Sequence, residues 1–234
     1  VRIVRNVAQY FYPQKQTQVM NEGCATFVHH YIMNKLYDRG QISEGAILEF
    51  LHSHSSVVFQ PDFNDQRYSG FNPYALGFAM MQDIKRICED PKDEDREWFP
   101  AIAGTGEWRN VLKDAWANFR DESFILQYLS PTVMRDFRMF SITDEAKASH
   151  VEISAIHNAR GFERVREQLA TSYDLGMREA NIQVIAADLQ GDRTLKLRHH
   201  VHNGRTLSKK TRETVEAHIK TLWGHEVTLD EVSA

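Results

Sequence analysis

A carboxylate and an imidazole, Glu22 and His29, stand on one helical face with only the small Ala25 and Thr26 between them. That spacing is two helical turns, about 10.5 Å of rise, so a single ion could hardly be gripped by both. One of the two can ligate a metal while the other binds substrate or orients a ligand. From the residue types alone, the commoner reading of such a pair is a polar helix side that makes a salt bridge or caps a neighbour. A second carboxylate, Glu122, falls in line with the apolar stripe Trp108, Val111, Leu112, Ala115, Phe119 and Leu126. If that helix runs unbroken, Glu122 must be paired, bind a metal or carry a raised pKa, with Asp121 pointing elsewhere. A buried Arg partner, or a helix break at Arg120-Asp121, would remove the anomaly. His52-Ser53-His54 precedes the strand-like Val57-Val58-Phe59. In an extended segment residues i and i+2 face the same way, which suits a two-histidine metal grip that includes His54. At a fraying helix end the two rings diverge instead.

Other candidate motifs fail on spacing. His225-Glu226 opens like a metalloprotease helix, but the closing position is Leu229. Asp62-Phe63-Asn64 begins like a calcium loop, yet Arg67 stands where glycine is needed and Pro73 where the last ligand belongs. Gly104-Thr105-Gly106 lacks the lysine and spacing of a phosphate loop, and no Gly-x-Ser-x-Gly elbow occurs. Residues 191–213 carry seven Lys or Arg together with His199, His200 and His202. They contain no Phe, Tyr or Trp on which a base could stack, so a solvated basic hairpin is expected rather than a nucleic-acid interface.

The elements that must position these residues follow from periodicity and caps. Helices are predicted at 17–38, at 43–52 from Ser43, and from Asn72-Pro73 through Leu76, Met80, Ile84 and Cys88. Residues 89–97 read as an acidic connector, and 107–128 as a fourth helix. After Pro131 the texture changes to strands at 137–143 and 150–157 (Val151, Ile153 and Ala155 alternating) and a helix at 160–173. A hairpin turned at Gly191-Asp192, a helix at 208–223 and a last strand at 226–232 complete a ββαββαβ order. The fold class is therefore α+β: a mainly helical portion, 1–130, followed by a small α+β domain, 131–234.

Composition excludes several classes. Among 234 residues, hydrophobic side chains at 42% provide a core, and a net charge of −4 argues against phosphate neutralisation as the main task. No apolar run approaches the roughly 18 residues of a membrane span, so no membrane partner is expected. Cys24 and Cys88, each in a helical pattern, make no disulfide framework and fit a reducing cytoplasm. The chain starts at Val1 on an apolar helical pattern, without initiator Met or signal peptide, and reads as a piece of a longer protein.

Two stretches carry a family resemblance: Tyr10-Phe11-Tyr12-Pro13-Gln14, and Met20-Asn21-Glu22-Gly23-Cys24-Ala25-Thr26. Later stretches agree, among them Asn72-Pro73-Tyr74-Ala75-Leu76-Gly77, Trp98-Phe99-Pro100, Asp121-Glu122-Ser123-Phe124, Ile156-His157-Asn158 and Leu222-Trp223-Gly224. Together they resemble the SpoVR family, the stage V sporulation protein R-like proteins, across essentially the whole chain. Cys24, where family members usually have Trp, and His30, in place of an aromatic, depart from the pattern. The family protein is about twice this length, so the chain looks like its C-terminal half, with the missing N-terminal half as the first expected partner.

The resemblance implies a bacterial cytoplasmic protein linked to spore cortex formation. In non-sporulating bacteria it implies company with a PrkA-type serine kinase in stress and starvation. The Asn-Glu-Gly-x-Ala pattern is also similar to the segment of gluzincin aminopeptidases whose glutamate ligates zinc, which carries over to Glu22. Two expectations of different class follow. The first is a metal-dependent hydrolase-like core, with zinc or another divalent metal, acting on peptide or peptidoglycan-type amide bonds. There Glu22 and His54 are metal ligands, and His29 and Glu122 catalytic groups. The second is a non-catalytic scaffold or regulator in a kinase-linked stress pathway, docking through its α+β domain.

Overall fold

The computed structural model describes residues 2–139, 141–143, 152–154, 159–201 and 204–233. Val151, Ala155, the Ile156-His157-Asn158 stretch and His202 lie outside the described residues. The chain divides into two compact units, Val1–Tyr173 and Asp174–Ala234.

The first unit is built on helices: α1 (Arg2–Gln16), α2 (Gln18–Asp38), α3 (Glu44–Val57) and α4 (Pro73–Glu89). Their ends follow local chemistry. Ser43 accepts the Ala46 N–H at 3.2 Å, and Asn72 accepts that of Tyr74 at 3.0 Å with Pro73 in the first turn. Gly40, at φ +66°, lies just beyond the end of α2. The stripe on α4 faces the core as expected: Leu76, Met80, Ile84 and Cys88 are fully buried. Against it packs α2, and the two backbones touch at Gly23 and Gly77. A Cβ on Gly77 would stand 2.2 Å from the Val19 carbonyl oxygen, and one on Gly23 2.5 Å from the Gly77 backbone.

Three expectations are corrected here. Helix α3 runs to Val57 instead of stopping near His52, so no strand starts there. The acidic connector contains α5 (Asp93–Trp98), because Asp95 is buried and its two oxygens clamp the Arg86 guanidinium at 2.5 and 2.8 Å. The helix expected over 107–128 is two: α6 (Trp108–Asn118) and α7 (Asp121–Tyr128). Phe119 and Arg120 are extended, and Ser123 Oγ accepts the Arg120 N–H at 3.0 Å, which starts the second helix in a new direction. After α8 (Pro131–Asp136), capped by Ser130, come the antiparallel strands β1 (Ser141–Thr143) and β2 (Glu152–Ser154), then α9 (Ala159–Tyr173).

The expected boundary at residue 131 thus falls inside the first unit. The reason is packing: α9 buries Phe162 and Ala170 in the helical core, and Arg166 donates to the Leu129 carbonyl at 2.9 Å.

The second unit holds α10 (Leu175–Arg178), β3 (Asn181–Ala187), β4 (Leu195–Val201), α11 (Lys209–Trp223) and β5 (Val227–Ser233). With the first unit's β1, β2 and α9, these complete the expected order, with α8 added before β1 and α10 between α9 and β3 among the described residues. Strands β3 and β4 form the antiparallel hairpin, while β4 and β5 are parallel across α11. Leu195, Leu197, Val227 and Leu229 make its core against Val215, Ile219 and Trp223. His199, expected to decorate the hairpin, is 3% exposed instead and meets Glu231 at 2.9 Å. Among the described residues no helix is long and apolar enough to cross a membrane.

Candidate functional site

Three of the family-like motifs, those holding Glu22-Gly23, Tyr74-Gly77 and Asp121, meet at the start of α2. Thr17 gives that helix no side-chain cap. Asp121, from the first turn of α7, accepts the Val19 and Met20 N–H groups instead, at 2.9 Å each. Asp121 is 1% exposed, and burial pushes its carboxyl up to about 6 against the lowering pull of those backbone donors. So the buried carboxylate of this segment is Asp121, not Glu122. The break between α6 and α7 turns Glu122 off the core line and leaves it half-buried. One turn into α2, the Glu22 carboxylate meets the Tyr74 hydroxyl, a hydrogen bond that raises the phenol's pKa. Glu22 and Tyr74 thus flank the Gly23–Gly77 crossing.

The imidazoles gather elsewhere, between α2, α3 and α4. The His30 and His54 rings lie 5.0 Å apart, and each packs edge-on against Phe78, at 5.2 and 4.7 Å. His29 meets Phe50 at 4.8 Å, and Phe50 meets His54 at 5.4 Å. A cavity of about 170 Å³ is lined by Ala25, Thr26, His29, Phe50, Ser53, His54 and Val57. His54 is 9% exposed, and its Nε2 is buried without a hydrogen-bond partner. Burial lowers its pKa, and the neighbouring His30 and His29 lower it further; His30 is lowered by burial as well.

Of the four site residues expected from sequence, His29 and His54 share a cavity. Glu22 and Glu122 line neither that cavity nor the larger one between α2, α4, α6 and α8. The two-histidine grip of His52 with His54 is not formed, because both sit on α3, where residues two apart diverge by about 200°. His52 is exposed. Sequence reasoning missed His30 as a neighbour of His54, although its replacement of an aromatic was a signal. Among the described residues no group of three His, Cys, Asp or Glu side chains is arranged to hold a metal ion.

Comparison with known proteins gives a consistent frame. The family described as SpoVR like protein matches residues 1–178, and the SpoVR-like C-terminal domain matches residues 180–234. The junction of the two matches lies within a few residues of the division between the compact units. A curated relative, "Uncharacterized protein YcgB" of Escherichia coli (strain K12), is 55% identical over 231 residues, covering 99% of this chain and 45% of the relative. The chain therefore spans about half the length of the curated relative it matches. No solved structure matches.

Proposed function

The chain belongs to the SpoVR family, and on that premise we propose that it carries part of a hydrolase-like, metal-dependent site centred on His54. The reaction proposed is cleavage of peptide or peptidoglycan-type amide bonds in the cytoplasm, in the service of cortex formation or a starvation response. One observation carries the reading: a buried, unpartnered imidazole nitrogen, Nε2 of His54, beside a cavity. A lowered pKa keeps that ring neutral near pH 7, the form that ligates a metal or accepts a proton. His54 therefore fits a divalent ion. Glu22 fits it less well, since its carboxylate is held by Tyr74. The remaining ligands would come from the part of the family's length that this chain does not span.

When bound, such an ion would polarise a carbonyl and lower the pKa of its water. His29, exposed at the cavity wall, would hold or move a proton there. Phe50 and Phe78 keep the His54 ring in place and exclude water from its buried edge. Glu122 stands at the first turn of α7, and a role as proton carrier requires the rest of the protein to bring substrate to it.

The test is metal content of the complete protein. One tightly held zinc or cobalt per chain is expected, lost in His54→Ala and retained in His52→Ala. Absence of the ion in every preparation, or its retention in His54→Ala, would overturn the reading. A second reading, a non-catalytic scaffold beside a PrkA-type kinase, draws on a different observation. The motif residues Glu22, Gly23, Gly77 and Asp121 serve a helix junction, a sufficient structural role for them.

A further inference from the structure

A larger cavity, of about 1200 Å³, lies between α2, α4, α6 and α8, with His30 in its wall. Most charges around it are matched: Lys35 with Asp38 at 3.2 Å, Lys85 with Glu89, and Arg86 with Asp83 at 2.7 Å. Arg39, Asp90 and Asp136, also in its wall, are outside those pairs, as are two further features. Asp83 is 6% exposed and gives Oδ1 to Arg86, while its Oδ2 is buried with no partner; the Thr132 hydroxyl is buried and unpartnered too. Arg109, also in the wall, lies exposed over Trp108 at 4.4 Å and donates to the Tyr31 hydroxyl at 2.8 Å. Among the described residues it has no carboxylate partner within ion-pair distance.

A buried carboxylate oxygen without a donor is costly, and a ligand N–H relieves it. An ammonium, with three donors and no acceptor, suits Asp83 Oδ2 and the Thr132 hydroxyl together. A guanidinium already held over an indole is pre-set for a carboxylate. A simple anion would meet Asp38, Asp83, Glu89 and Asp90, and a simple diamine would leave Arg109 unmatched. From unpartnered acceptors and an unpaired guanidinium in the wall of one cavity we infer that it binds a free amino acid or short peptide. The α-ammonium sits at Asp83 and Thr132, and the carboxylate at Arg109. The inference deepens the hydrolase reading and rests on it only for what becomes of the ligand; the binding itself needs no metal.

Calorimetry on the complete protein, treated with a chelator, tests this with three probes: alanyl-alanine, its N-acetyl form and its C-terminal amide. The free dipeptide should bind, and each blocked form at least about tenfold more weakly. Asp83→Asn should lose the free dipeptide by a similar factor. Since that change also touches the Arg86 pair, Thr132→Val and Arg109→Gln serve as milder variants, each expected to weaken binding severalfold with the fold intact by circular dichroism. His54→Ala should bind the dipeptide as before. Loss of the ion with retained dipeptide binding thus separates the two readings. No binding of any probe, equal binding of free and blocked forms, equal binding of putrescine, or unchanged binding in all three groove variants would overturn the inference.

Discussion

Asp121 ties two helices together with a single carboxylate, and its protonation is linked to folding. Its folded pKa of about 6 lies above the ordinary carboxylate value. The folded state therefore binds more protons than the unfolded state between the two values. The stability linked to Asp121 is fully present below about pH 4 and is lost as pH rises through about 6, a change on the order of 3 kcal/mol. Asp121→Asn keeps one acceptor but turns an amide N–H₂ toward a second backbone donor, which costs about 1–3 kcal/mol. Denaturant titrations at stepped pH should show the variant less stable at pH 5, with a flatter profile from pH 4 to 6. A variant profile parallel to that of the parent would count against this role. Arg166 is a half-buried charge held by carbonyls and rings. It donates to Leu129, lies 4.5 Å over Trp98, and is pushed down to about 10 by burial. Arg166→Met should cost about 2 kcal/mol, read as a lowered Tm, because the carbonyl it served is left without that donor. An unchanged Tm would deny it that role.

At the scale of elements, the contact between α2 and α4 depends on two residues without side chains. Gly23→Ala or Gly77→Ala drives a methyl into backbone that cannot move aside, and should cost about 3 kcal/mol or more. Gly45→Ala, where an added Cβ meets nothing closer than 3.9 Å, is the control and should leave Tm nearly unchanged. Equal Tm values for all three would refute the close-packed crossing. Helix starts were legible in the sequence at the local caps Ser43, Asn72-Pro73 and Ser208, whereas the short helices α8 and α10, capped by Ser130 and Asp174, were not. The break before Asp121 was open as an alternative but not decidable. The apolar stripe runs on through Phe119, and only contact with α2, about a hundred residues away, rewards the turn. His54 was legible as a candidate for a different reason than the one that isolates it. Its neighbours come from α2 and α4 and not from a strand, so neither His30 nor Phe78 could be read from its vicinity in sequence.

For the molecule as a whole, the division at Tyr173 was not legible because the switch from helical to alternating pattern near 131 precedes a helix, α9, that returns to the first core. Limited trypsin digestion should cut first near Arg178, between the segments matched by the two family descriptions, and release a fragment of the second unit. A first cut near residue 131 would argue for the sequence-based boundary instead. The central claim is that the buried, neutral imidazole of His54 holds an ion in the complete protein. Nitrogen NMR of ¹⁵N-histidine-labelled protein reads it most directly, by following the His54 Nε2 resonance at pH 7 before and after addition of zinc. The account predicts a neutral ring without metal and a displaced Nε2 signal with it, absent in His54→Ala. A His54 resonance unmoved by saturating zinc would contradict it.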